Sequence, residues 1–272
     1  MKYGFYHNAN HAPGSIAAQK AAQRTALIRA AGFGCNLMFL SHLGDAGFSK
    51  TLLSLAATRG MTLTLEDVVG SDLTVLQTLP NFIHAVCDDA NRQPLGSVQA
   101  MAGGSRVARR YISIGPGIKT PCVEYFSCTE DVGVQSYPFP TESLWASWLV
   151  WSAARVNADK AGVQAIGNSQ LHALDEGQPR PTPEQIRAQT WVAAAAGLDG
   201  LLGYSLLDAG GPLPVALEMA FVSACQEVSG LTAGRPLKAS VVGNLLTASW
   251  AGGVSVTVDL EKCTVVKLKT RF

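Results

Sequence analysis

Many of the side chains in this sequence that are able to do chemistry follow directly on short apolar runs. His7, Asn8, Asn10 and His11 follow the first run; Ser41, His42 and Asp45 the second; Glu66 and Asp67 the third; and Asp88, Asp89, Asn91 and Arg92 the fourth. Tyr137 follows a later run, Gln164 and Asn168 surround another, and Tyr204, Ser205 and Asp208 follow the last of this kind. Carboxylates and amides hydrogen-bond vicinal hydroxyls in pairs, and tyrosine faces cover the apolar side of a pyranose ring, so the mixture suits a polyhydroxylated ligand. Other chemistries lack their residues. No Gly-x-Gly-x-x-Gly follows a run and no Gly-Lys-Ser/Thr phosphate loop occurs; Gly115–Gly117 is a lone Gly-Pro-Gly turn. There is no Gly-x-Ser-x-Gly elbow for acyl transfer. His7, His11 and His42 beside Asp45 or Asp88 would be metal ligands by residue type. His7 and His11 share a segment with Pro13 and Gly14, however, so the helical spacing of a zinc site is absent and hydrogen bonding is the expected use. Neither a metal nor a cofactor is expected.

The elements that must position these residues alternate in type. Short apolar runs at Lys2–Tyr6, Cys35–Leu40, Met61–Leu65, Ile83–Cys87, Tyr111–Ile114, Val132–Ser136, Gly162–Ile166 and Gly200–Tyr204 read as strands. Between and after them, Ile16–Ala31, Ser49–Arg59, Leu73–Leu79, Gly96–Arg109, Glu142–Asn157, Pro183–Ala196 and Pro214–Val228 read as helices. Only the connection from Ile114 to Val132 is too short for more than a turn of helix. Thr182 and Gln185 form a capping box, Pro183 takes the first helical position and Gly197 closes the end. Eight such units predict a (β/α)8 barrel, in which residues just after each strand converge on one mouth. Beyond Gly230 the rhythm changes to Lys238–Val242, Leu245–Trp250, Val254–Asp259 and Thr264–Lys269, with Gly-Asn and Gly-Gly turns between. Residues 1–232 are therefore expected to form the barrel, and residues 233–272 a small antiparallel β appendage packed on it.

Composition agrees with a buried parallel sheet. The chain has 272 residues, 47% hydrophobic and 15% charged, with net charge +1, so it offers no field to attract nucleic acid or anionic lipid, and neither is an expected partner. No window has the roughly twenty apolar residues of a membrane helix, and Met1–Asn10 enters a strand without the features of a secretory leader. A soluble protein is expected, cytoplasmic or carried outside the cell as part of a particle. Cys35, Cys87, Cys122, Cys128, Cys225 and Cys263 are scattered in apolar contexts, the pattern of buried free thiols. Trp145, Trp148 and Trp151, at i, i+3 and i+6 on one helix, form a stripe that packs on the barrel or on a second subunit of a homo-oligomer or larger assembly.

Three stretches, in order, resemble glycoside-hydrolase-like (β/α)8 barrel proteins. Cys87-Asp88-Asp89-Ala90-Asn91 stands where such proteins end strand four in an Asp-Glu-Pro-like step. Asp131 to Pro140 runs into a Tyr137-Pro138 dipeptide after strand six, and Pro183 to Trp191 with Ala195 to Ser205 resembles a last helix and strand of such barrels. The resemblance implies hydrolysis of glycosidic bonds in an oligo- or polysaccharide by paired carboxylates. It places Asp89 as general acid, with Asp88 as the neighbour that raises its pKa; Glu66 and Asp208, by their positions after strands three and eight, stand equally as second carboxylate. Asp89 is one methylene shorter than the family's Glu, and the seventh strand offers only Gln164 and Asn168 where related enzymes carry a carboxylate. The same barrel without catalysis would bind glycan or protein, for example as a structural component of a phage virion. His7, Asn8, His42, Asn91, Tyr137, Gln164, Asn168 and Tyr204 are the expected substrate-binding residues. Turn formation by Asp88 and helix capping by Asn91 and Asp208 are the purely structural alternatives.

Overall fold

A computed structural model describes residues 1–8, 14–115, 123–173, 177–208 and 211–270. Asn10, His11 and Cys122 lie outside the described residues, as does the side chain of Asp208. In chain order the barrel units are β1 (Lys2–His7), α1 (Ile16–Gly32), β2 (Leu37–Ser41), α2 (Ala46–Ala57), β3 (Thr62–Glu66), α3 (Gly70–Leu76), β4 (Phe82–Cys87), α4 (Leu95–Gly104), β5 (Arg110–Ile114), α5 (Val123–Phe126), β6 (Asp131–Ser136), α6 (Leu144–Ala161), β7 (Gln164–Gln170), α7 (Pro183–Ala195) and β8 (Gly200–Tyr204). A two-stranded ribbon, β9 (Leu207–Asp208) with β10 (Gly211–Pro212), precedes α8 (Val215–Leu231). The first eight strands pair in sequence order, all parallel, and β8 closes on β1 through Lys2↔Gly200 to Phe5↔Gly203.

Strand periodicity sorts the side chains. Tyr6, Leu37, Phe39, Ile83, Ala85, Tyr111, Ile166 and Leu202 form one buried cluster inside the barrel, while their neighbours in sequence join the larger core under the helices. Two glycines allow this interior to close: a Cβ on Gly4 would lie 1.8 Å from the Leu37 carbonyl oxygen, and one on Gly133 would lie 1.7 Å from the Tyr111 hydroxyl. The Thr182–Gln185 capping box forms as the sequence indicates. Trp151 is fully buried and donates to the Val134 carbonyl at 2.9 Å, and Trp145 and Trp148 pack partly buried against the same core.

The barrel strands fall within two residues of their expected bounds, with one exception. The sequence places the seventh strand at Gly162–Ile166, yet β7 begins at Gln164 and continues through Gly167-Asn168-Ser169-Gln170. Those residues read as a loop because three of them are polar, but in the folded chain each polar group finds a partner. Asn168 bonds Tyr6 and Tyr111, Ser169 donates to Gln189, and Gln170 is held by the backbone of Phe139. Tertiary hydrogen bonding therefore overrides the local signal.

At the C-terminus β11 (Lys238–Val242), β12 (Leu245–Ser249), β13 (Ser255–Asp259) and β14 (Thr264–Lys269) form an antiparallel sheet in that order. Alternation buries Leu246, Ala248, Val256 and Val258 on one face, and Trp250 meets Trp191 of α7 edge to face at 5.7 Å between ring centroids. The Leu144 amide, at the start of α6, donates to the Leu260 carbonyl at 2.9 Å.

Candidate active site

Inward positions change character toward the C-terminal ends of the strands. Above the Tyr6–Tyr111 layer, the two-residue period carries Asn8, Ser41, Glu66, Ser113 and Gln135 to the mouth. Asp88 joins them through an irregularity. Ala85 pairs with Tyr111 but Cys87 with Ile112, so β4 bulges at Val86 and its phase shifts by one residue. Without the bulge Cys87 would face inward; with it Asp88 stands opposite Ser113, whose hydroxyl donates to the Asp88 carboxylate. Beyond it, Asp89 adopts a left-handed conformation (φ 45°) and opens a 3₁₀ turn over Ala90–Arg92.

Two carboxylate environments result. Gln135 Nε2 lies 2.9 Å from Asp89 Oδ1, 3.0 Å from Ser113 Oγ and 3.4 Å from Asp88 Oδ1, so one amide spans both aspartates. Asp89 also pairs with exposed Arg92 at 3.1 Å. Burial and the charge of Asp88 raise the Asp89 carboxyl against the pull of Arg92. On the adjoining strands Glu66 accepts a hydrogen bond from Ser41 Oγ at 2.7 Å, and no described cation pairs with it. Burial, with smaller contributions from Asp67 and Asp88, pushes the Glu66 carboxyl up to about 7 despite the Ser41 bond. Glu66 and Asp88 face a common cavity of about 320 Å³, at the lower end of the roughly 300–1,000 Å³ of small-molecule sites.

The floor under this mouth is hydroxyl and amide. Tyr6 and Tyr111 hydroxyls lie 2.9 Å apart, and Asn168 Nδ2 lies 3.2 and 3.0 Å from them. Burial, first, and then the other hydroxyls and Asp88 hold the Tyr6 phenol well above its ordinary value. Tyr204 packs against both Tyr6 and Tyr137, each at 5.6 Å between centroids, so three tyrosines line one side of the mouth.

The structure brings together Glu66, Asp88, Asp89, Asn8, Tyr137, Tyr204 and Asn168 of the expected site. It separates others. Gln164 opens β7 at the opposite end of the barrel, where Arg109 donates to it at 2.5 Å, because the strand runs on four residues past its expected end at Ile166. His7 is one residue out of phase with Tyr6 and is buried on the helical side of β1. His42 bridges Ser49 (2.9 Å) and Asp72 (2.8 Å), tying α2 to α3. Asn91 accepts from the Gly115 amide at 2.6 Å and anchors the end of β5. Asp208 has its backbone in β9, its side chain being outside the described residues. Ser113 and Gln135 were missed, although each lies two residues beyond an inward position on its strand, Tyr111 and Gly133, and the alternation alone would have found them. Among the described residues no group of three or more His, Cys, Asp or Glu side chains is arranged to hold a metal.

No protein-family model matches the chain, and no curated protein sequence matches it. Solved structures do match in fold. A glycoside hydrolase family 5 protein from Bacteroides vulgatus aligns over 95% of this chain and 76% of its own, with 9% identity and a TM-score of 0.64. A noncanonic maltogenic alpha-amylase from Thermotoga neapolitana aligns over 95% of this chain and 85% of its own, with 11% identity and a TM-score of 0.56. A GH18 chitinase from Pseudoalteromonas aurantia aligns over 84% of this chain and all of its own, at 11% identity and a TM-score of 0.52. The chain shares the (β/α)8 barrel fold of these glycoside hydrolases.

Proposed function

We propose that this protein hydrolyses glycosidic bonds, with Glu66 as the proton donor and Asp88 as the second carboxylate. The observation that carries the reading is the carboxyl of Glu66: half-buried, unpaired with any described cation, pushed up to about 7, and facing the same cavity as Asp88. A carboxylic acid still protonated near neutrality protonates the leaving oxygen as the C–O bond breaks. Asp88, exposed to solvent and oriented by Ser113 and Gln135, then either takes the proton of an attacking water or bonds the anomeric carbon itself. This assignment moves the acid from Asp89 to Glu66, because the Asp89 carboxylate is engaged by Arg92 and Gln135 and is not among the groups that line the cavity. Tyr137 and Tyr204, which stand beside the cavity and not in its lining, offer ring faces to a sugar.

A second reading has its own observation. The end of β7 carries Asn168 and Gln170, amides fully buried and committed to Tyr6, Tyr111 and Phe139, where related enzymes carry a carboxylate. That arrangement favours a barrel that binds glycan, or a protein of a larger assembly, without cleaving it. Reducing-end release from a broad glycan panel separates the two. The hydrolase reading expects release by the wild type, lowered roughly 10²–10⁴-fold by Glu66→Gln with binding retained; equal binding and no release by either protein favours the binding barrel.

A further inference from the structure

The cavity at Glu66 and Asp88 reaches from the barrel interior, at Phe39, Ala85 and Tyr111, outward to Leu73 of α3 and Met101 of α4. β3 and β4 pair only from Leu63↔Phe82 to Leu65↔His84, whereas β2 and β3 stay paired through Ser41↔Glu66. Past Leu65↔His84 the two strands form no further pairs, and β4 bulges at Val86. The opening is spanned below by His84, which bonds Ser105 Oγ at 2.8 Å and the backbone of Val68. These bonds join the segment after β3 to the end of α4. Burial lowers the His84 pKa, so this strut carries no charge near neutrality.

The two ends of the cleft differ in chemistry. Toward the mouth stand the carboxyl groups of Glu66, Asp67 and Asp88; toward α3 and α4 the lining includes Val69, Leu73, Val86 and Met101. Val69 is 74% exposed and Met101 41% exposed, so both hold apolar surface in water at the cleft lip. A wholly hydroxylated chain would leave these groups uncovered, and an apolar chain alone would strand the carboxyl groups of Glu66, Asp67 and Asp88. An amphiphile with its polar head at the carboxylates satisfies both ends. Resting on the proposed hydrolase reading, we infer that the substrate is a glycoside with an apolar aglycone, its glycosidic oxygen at Glu66 and its alkyl or aryl group in the cleft between α3 and α4.

The test uses binding by a protein that cannot turn over, so it does not depend on catalysis. n-Alkyl β-D-glucosides from methyl to octyl, below their micelle concentrations, are titrated calorimetrically into the Glu66→Gln protein. Affinity is expected to rise about fourfold per added methylene until the cleft is filled. Met101→Asp and, separately, Val69→Asp flatten that rise; both sites are exposed enough to accept the change without unfolding. A flat series in the Glu66→Gln protein, or one that rises equally in the two charged variants, overturns the inference. Rising affinity together with no hydrolysis by the wild type would retire the hydrolase reading and leave an amphiphile-binding cleft; hydrolysis together with a flat series would do the reverse.

Discussion

The two ends of the barrel both carry carboxylates, and they treat them in opposite ways. At the base Asp131 is gripped by the fork of Arg109, Glu130 by Arg110, and Asp199 by Arg155, which also reaches Asp159 at 2.9 Å. At the mouth Glu66 and Asp88 meet only hydroxyl and amide donors, and Arg92 pairs with Asp89 from an exposed position. Burial raises both Asp131 and Glu66, but Arg109 pulls Asp131 back, while at Glu66 only the Ser41 hydroxyl opposes the shift. The base thus spends its carboxylates on joining strands, as expected of the N-terminal face of such barrels. The mouth keeps one carboxyl protonated near neutrality beside an exposed carboxylate, an arrangement useful for acid–base chemistry and poor for stability.

Carboxylate-to-amide substitutions sharpen the contrast because one takes the partner from a guanidinium and the other removes a carboxyl that no described cation pairs with. Asp131→Asn strands the Arg109 guanidinium in a partly buried site and is expected to cost about 3–5 kcal/mol in chemical denaturation, the largest effect of the series. A loss under 1 kcal/mol would remove the distinction between the two ends. Glu66→Gln should stabilise. The folded carboxyl is raised from 4.5 to about 7, so the wild type loses stability as pH climbs through that interval. The variant should match the wild type near pH 4 and exceed it by up to about 3 kcal/mol at pH 8; equal stability at both pH values would contradict the burial argument. Activity carries the same sign: with Glu66 as the acid, hydrolysis falls as pH rises above about 7. Asp89→Asn should do least. Its ion pair with Arg92 is surface-exposed, and asparagine tolerates the left-handed backbone, so stability should move by less than about 1 kcal/mol and hydrolysis by less than about tenfold. Complete loss of hydrolysis in that variant would return the role of acid to Asp89.

The barrel was legible because its signals are local: apolar runs of strand length, a capping box at Thr182, and Gly-Asn and Gly-Gly turns after Gly230. The mouth was legible in part, since polar residues directly after strands must face it or the helices beside it. What local patterning could not supply was phase. A bulge at Val86 decides that Asp88 faces inward, and buried amides at Asn168 and Gln170 extend a strand that polarity alone would end. Both depend on partners far away in sequence, Ser113 for the first and Tyr6, Tyr111 and Phe139 for the second. His7 and His42 illustrate the same limit, since a residue that ends a strand is brought to the mouth or turned away by one step of alternation.

The most direct test is a titration of the Glu66 side-chain carboxyl followed by carbon-13 NMR, in the wild type and in Asp88→Asn. A midpoint near 7, lower in Asp88→Asn because a neighbouring negative charge has gone, is the expected result. A midpoint near 4.5, unmoved by Asp88→Asn, would mean that Glu66 is an ordinary carboxylate and would contradict its assignment as the acid.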